Sequence, residues 1–259
     1  MPTGIGSGIA GRVFGGAVGT PTPEPLCPTD TSIFYDGIAE KSFSAFDYNL
    51  TSVNFSFSFW VKVPDITNGG AGMGIWYASS TDADAFNIYF STTGVLTAQS
   101  INGVDDIVFA NSTTIPNNAW THIVLSANRA GNWKWYVNGV NTTTTDFSTI
   151  TRAFPSSTGA PKYIFSPTTT VSTGFFSGHT TEFSVWSRVL SPAEVLTIYN
   201  NMSGDQECLE DLGISNLQTW YRLNGTNAVL QTLVNAAPSG VGQLFFQNMD
   251  NSNVTTDIP

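Results

Sequence analysis

Few residues in this chain are placed to do chemistry. It has two histidines, His122 and His179. A nucleophile triad needs a histidine hydrogen-bonded to a serine or cysteine and oriented by a third group. His122 sits in an apolar run, His179 is expected in a turn, and no reactive partner is signalled for either. Both read as structural. Retaining glycan hydrolysis needs two carboxylates about 5 Å apart, yet the stretch Glu182-Phe183-Ser184-Val185-Trp186 offers one. Glu207, Glu210 and Asp211 surround Cys208 after a predicted helix and read as a solvated acidic turn. The chain is therefore expected to be non-enzymatic, with no catalytic residue and no cofactor. Asp82 with Asp84, and Asp105 with Asp106, are spaced so that hard carboxylate oxygens could hold calcium. Solvated loop acids are the plainer reading, and no metal ligand is assigned.

Aromatic rings can stack on sugar faces. Trp76 and Tyr77 lie in a Gly-rich neighbourhood after Gly69-Gly70. Strand alternation places Trp133, Trp135 and Val137 on one face and Lys134, Tyr136 and Asn138 on the other. Trp135 and Val137 are expected in the core, leaving Trp76, Tyr77 and Tyr136 as the candidate ligand-facing aromatics. The two cysteines, Cys27 and Cys208, flank the body of the chain. A bridge between them would close a loop of about 180 residues; two free thiols are the alternative in a reducing compartment.

The elements that must position these groups are short strands. Phe55 to Val63 alternates strictly, with Phe55, Phe57, Phe59, Val61 and Val63 on one side, as in a half-buried strand. Phe86 to Phe90 and Thr121 to Ala127 repeat the pattern, and about a dozen strands separated by Gly, Asn and Pro turns are expected. Asn138-Gly139 suits a two-residue hairpin turn, because both positions need positive φ. Ser191-Pro192-Ala193-Glu194 reads as a capping box with Pro at the first helical position. Val195, Ile198, Tyr199 and Met202 follow at helical spacing, so one short helix is predicted near 191–202, ended by Gly204.

Two segments, WTHIVLSANRAGNWKWYVNGV at Trp120 to Val140 and GFFSGHTTEFSVWSRVLSPAEVLTIYN at Gly174 to Asn200, together resemble the hallmark of laminin-G-like, concanavalin A-like domains. SIFYDG from Ser32 resembles the opening strand and turn of that family. The resemblance implies an all-β fold: a two-sheet antiparallel jelly-roll sandwich. It also implies a calcium-binding rim in many members; Thr181 replaces the acid that often precedes the Glu182 position. The stretch from Leu217 to Pro259 resembles an element that opens many such domains but here follows it, so residues 209–259 are expected to supply permuted strands or a closing flap. The ending NMDNSNVTTDIP resembles those of laminin-G-like virion proteins of tailed and marine phages.

Size and composition agree with this reading. The chain has 259 residues, 41% hydrophobic and 11% charged, enough for one large β core. Nine basic against nineteen acidic residues leave a net charge of −10, which argues against nucleic acid, since phosphate binding needs a basic face. No stretch approaches the roughly 20 apolar residues of a membrane helix. Seven Asn-x-Ser/Thr sequons, among them Asn111, Asn141 and Asn253, read as chance in so Asn- and Thr-rich a chain. Residues 1–29 are Gly-rich, then Pro-rich, and read as an extended N-terminal arm followed by a semi-rigid spacer. The arm shows no export signal and carries Ile5, Ile9, Arg12, Val13 and Phe14 as candidate anchoring side chains. The body spans 30–259.

These observations predict a non-enzymatic virion structural protein, a capsid decoration, fibre or adhesion module assembled in the host cytoplasm. It would occur in many copies, dock to other virion proteins through residues 1–29, and meet a host-surface glycan. The alternative is a secreted or cell-surface carbohydrate-binding module.

Overall fold

The computed structural model describes residues 31–44, 53–67, 73–81, 84–101, 107–149, 162–165, 175–202, 208–222, 232–234 and 243–259. Among them are β1 (Ser32–Asp36), β2 (Lys41–Ser44), β3 (Phe55–Lys62), β4 (Met73–Thr81), β5 (Asp84–Phe90), β6 (Leu96–Ile101), β7 (Ile107–Ala110) and β8 (Thr121–Ala127). There follow β9 (Asn132–Val137), β10 (Val140–Asp146), β11 (Lys162–Ile164), β12 (Ser177–Trp186) and the one helix, α1 (Pro192–Met202). The chain ends with β13 (Leu217–Tyr221), β14 (Thr232–Val234), β15 (Gln243–Gln247) and β16 (Val254–Thr255).

All pairings are antiparallel and form two sheets. The first runs β10-β9-β8-β3-β12-β1-β16, with β13 also paired to β12. The second runs β14-β15-β2-β11-β4-β5-β6-β7. This is the two-sheet sandwich expected from the sequence, with more strands than the dozen anticipated. The segment after the helix supplies true strands, β13 and β16 to the first sheet, β14 and β15 to the second. Between the sheets lies a core of inward-facing rings and branched side chains, including Phe55, Phe57, Phe59, Phe86, Trp133 and Trp135.

The local signals act as their chemistry dictates. Asn138 and Gly139 adopt φ of 50° and 78°, and the Asn138 Oδ1 accepts the His122 N–H at 2.9 Å. At α1, the Ser191 N–H donates to Glu194 Oε2 at 2.8 Å and the Glu194 N–H to Ser191 Oγ at 3.3 Å. Arg188 closes the cap with two guanidinium hydrogen bonds to the Glu194 carboxylate. The Arg188 hydrogen bond is the largest influence on that carboxyl and holds it down to about 2.

Three expectations are corrected. The outer face of the first sheet is not left to solvent, so β3 and β8 are buried on both faces rather than half-buried. Helix α1 and the segment around Leu209 to Leu217 cover that face with Val195, Ile198, Leu209 and Ile214. Tyr136, expected at the surface, is 1% exposed beneath them, because its outward direction leads into a second core instead of water. His122 shares this layer. Its Nε2 meets Ser58 Oγ at 2.8 Å, its ring packs against both Trp60 and Tyr199, which also stack on each other, and burial pushes it down to about 3. His179 lies in β12, not in a turn, paired with Phe34 and Lys62.

Two outcomes follow. Gly178 in β12 has a φ of +142°, and a Cβ there would stand 2.5 Å from the Lys62 carbonyl oxygen. Backbone cannot yield as a flexible side chain can, so Gly178→Ala should lower Tm by roughly 2–4 °C or more in a thermal melt, as a change above about 1 kcal/mol does in a domain of this size. For His122, the folded state resists a proton that the unfolded chain takes up below its ordinary 6.5. Stability is therefore full above that pH and falls by at most about 1.4 kcal/mol per unit as pH drops toward 3. Urea titrations between pH 7 and 5 should show this slope, and His122→Gln should flatten it.

Candidate functional site

A concavity among the described residues lies at one end of the sandwich, where three turns meet. Residues 66–67 leave β3, residues 91–95 join β5 to β6, and residues 111–117 lead from β7 toward β8. Together they line a pocket of about 380 Å³, within the roughly 300–1,000 Å³ typical of small-ligand sites.

Each turn is held by local chemistry. Gly94, at φ +75°, brings the β5–β6 turn onto Ile66; a Cβ there would lie 2.7 Å from the Ile66 methyl. The Ile66 N–H donates to Asn117 Oδ1 at 3.0 Å and the Asn118 N–H to the Val63 carbonyl at 2.8 Å. These two bonds tie the exit of β3 to the entry of β8. Asn111 is the clasp between the sheets. Its buried Oδ1 accepts the hydroxyls of Thr142 and Thr143, and its Nδ2 donates to the Thr113 carbonyl at 2.7 Å. Its amide is fully engaged, which agrees with reading its sequon as chance.

The pocket has an apolar floor of Ile66 and Ile115, 5% and 1% exposed, and a rim of hydroxyls and amides from Thr67, Thr93, Thr113 and Asn117. Its lining includes no ionisable side chain. Apart from Asn111, named only as a sequon, no position in it was singled out from the sequence, because it is assembled from turns far apart in the chain.

Two constellations look reactive and are not. Ser32, His179 and Asp257 converge, with Ser32 Oγ 3.4 Å from His179 Nδ1 and His179 Nε2 3.8 Å from Asp257. Ser32 is 0% exposed and donates its proton to the Asp257 carbonyl, so no substrate reaches it and no base frees it. Asp36 and Glu40 face each other across the β1–β2 turn. Burial raises the Glu40 carboxyl, and its hydrogen bond with Asp36 raises it further. Carboxyls in mutual hydrogen bond are closer than the about 5 Å that leaves room for a sugar between them. Glu40 instead accepts the Asp36 N–H and the Asn253 amide, at 3.0 and 3.2 Å. Glu182, at φ 53° in the β12 bulge, is 5% exposed and accepts the Trp220 indole N–H.

The remaining predicted residues divide sharply. Trp133, Trp135 and Val137 lie in the core, and Tyr136 is excluded as a ligand-facing ring by its burial. Trp76 and Tyr77 fall in β4, an inner strand between β11 and β5; their side chains lie outside the described residues. So do Ile5, Ile9, Arg12, Val13 and Phe14 of the arm, Cys27, Gly204, and the side chains of Asp82, Asp84, Asp105 and Asp106. Cys208 is disulfide-bonded. Among the described residues no group of three or more His, Cys, Asp or Glu could hold a metal ion, and no helix is long and apolar enough to cross a membrane.

With this geometry in place, similarity to known proteins becomes informative. Residues 39–196 match the laminin G-like family model described as the concanavalin A-like lectin/glucanases superfamily. No curated protein matches the chain. A crystal structure of a candidate carbohydrate-binding protein from Bacteroides ovatus is similar in fold, with a TM-score of 0.62 and 16% identity over 89% of this chain. This chain spans 60% of that protein's length. The heptameric SAP-like pentraxin of Limulus polyphemus is similar at a TM-score of 0.50 and 16% identity, covering 66% of this chain and 82% of the pentraxin.

Proposed function

The chain belongs to the concanavalin A-like lectin/glucanases superfamily, and we propose that it acts there as a non-enzymatic adhesion module whose end pocket receives a neutral glycan. The observation that carries this reading is the pocket lining. Hydroxyls and amides set around an apolar floor match a ligand that alternates O–H groups with C–H faces. The absence of any ionisable side chain from that lining fits an uncharged ligand, and the net charge of −10 disfavours acidic ones at long range. The name of the similar Bacteroides ovatus protein points the same way.

In the fuller form of this reading the module is displayed on a virion. Residues 1–29 dock to neighbouring virion proteins, and Cys208 bridges to Cys27, tying the arm to the segment that follows α1. The arm's Gly- and Pro-rich composition and the phage-like ending of the chain support it. A disulfide at Cys208 favours an oxidising environment, which suits a released particle and equally a secreted or cell-surface module.

Two experiments test these proposals. On a glycan array followed by calorimetry, the protein should bind neutral saccharides, and Thr93→Ala and Thr113→Ala should each weaken binding about tenfold, equivalent to about 1.4 kcal/mol. Unchanged affinity in both variants overturns the pocket assignment. Limited proteolysis with mass spectrometry should recover the Cys27 and Cys208 peptides as one disulfide-linked species before reduction and as two after it. Residues 1–29 should be protected only in the assembled particle; equal protection in the isolated chain removes the anchoring role.

A further inference from the structure

Beside the pocket, at the same end of the sandwich, the first sheet gathers two donors and an imidazole around one point. Lys62 ends β3, Trp120 immediately precedes β8, and His179 lies in β12 directly across from Lys62. The group they surround is the carboxylate of Asp257. Lys62 Nζ lies 2.6 Å from Oδ2, Trp120 Nε1 donates to Oδ1 at 2.8 Å, and His179 Nε2 stands 3.8 Å from Oδ2. The rings of Phe34 and Trp120 flank the imidazole, at 4.9 and 6.1 Å between centroids, and give the spot an apolar wall.

Receptor and occupant are built differently. Lys62, Trp120 and His179 stand on or beside strands in the middle of the sheet, fixed by the β3–β8 and β3–β12 ladders. The occupant comes from the segment that follows a two-residue strand. Its strand, β16, pairs only Thr255 with Ser32 and Val254 with Ile33. Beyond it the tail is held by the Asp257 carboxylate and by Ser32, whose hydroxyl donates to the Asp257 carbonyl. His179 Nδ1 adds a contact to Thr255 Oγ1 at 3.1 Å. Lifting the tail would leave an ammonium, an indole N–H and an imidazole converging on nothing. Charge-assisted hydrogen bonds of this kind are strong and directional, and aromatic walls beside them suit the ring of an acidic sugar.

We propose that Lys62, Trp120 and His179 form a carboxylate-binding site that the chain's own Asp257 occupies, and that the carboxylate of a uronic acid takes its place when the tail lifts. A tethered carboxylate acts at an effective concentration of about millimolar or above. An external ligand therefore meets the site only for the fraction of time the tail is away, and its apparent affinity falls by that fraction. This site differs from the neutral pocket in residues and in ligand charge, so either can fail alone.

The test uses the full chain and glucuronate, with glucose as the uncharged control, followed by NMR of the Trp120 indole N–H. Asp257→Ala should show a saturable glucuronate shift at least about tenfold tighter than wild type, absent with glucose and absent in Asp257→Ala combined with Lys62→Ala. A natively folded Asp257→Ala protein with no saturable shift, or one that responds equally to glucose, overturns the site and leaves Asp257 a structural clasp. If Asp257→Ala fails to fold, wild type decides: excess glucuronate must move the Thr255 and Ile258 amides to disordered positions, and their constancy overturns the proposal.

Discussion

Two serines on the outer face of the first sheet hold the rest of the structure in place. Ser56 and Ser126 lie opposite each other on β3 and β8, both buried, with their hydroxyls 3.1 Å apart. Both accept the Leu190 N–H, at 3.0 and 3.1 Å, while Ser56 donates to the Arg188 carbonyl and Ser126 Oγ lies 3.2 Å from the Leu190 carbonyl. The chain leaving β12 is thereby stitched to the sheet at the point where the helix cap begins. From there α1 lays Val195 and Ile198 over Val124, Tyr136 and Trp186. Without those hydroxyl contacts the segment would present unpaired backbone groups to an apolar face, at a penalty of about 1–3 kcal/mol each. The sheet's central strands would then revert to having one wet face.

That arrangement explains what could and could not be read from the residues. The helix was legible because its cap is local: Ser191, Pro192 and Glu194 state their roles within four positions. The Asn138-Gly139 hairpin was legible for the same reason. Alternation along β9 correctly separated Trp135 from Tyr136, since a strand's period of two is set by the backbone. It could not say that both faces are covered, because what covers Tyr136 comes from beyond residue 190. The serines at 56, 58 and 126 resembled an ordinary solvent face. Their burial shows only when the helix lies on them.

The end pocket and the Asp257 cluster were hidden for a related reason. Ile66, Gly94 and Asn117 belong to different turns, and each alone is an ordinary turn residue. Lys62 and Asp257 are 195 positions apart, so no periodicity or spacing links them. The same is true of the acid pair at the β1–β2 turn, whose partner Asn253 arrives from the far end of the chain. Local chemistry is readable wherever the partners are neighbours in sequence. Sites closed by the last strands of a sandwich are not, because chain connectivity places their halves at opposite ends.

This division has a consequence for how such a module can change without losing its fold. The core between the sheets and the layer under α1 are filled by large rings, and a substitution there opens a cavity or forces an overlap, each at several kcal/mol. The pocket rim is different: Thr67, Thr93 and Thr113 stand on exposed turns whose backbone is fixed by Gly94, Asn111 and the Ile66–Asn117 and Asn118–Val63 bonds. Their side chains can vary while those anchors keep the opening in shape. Ligand preference can therefore drift through the rim residues, whereas the anchors tolerate little. A surface that must meet changing partners is served by that separation, and it follows from which groups the strands bury and which they leave at their ends.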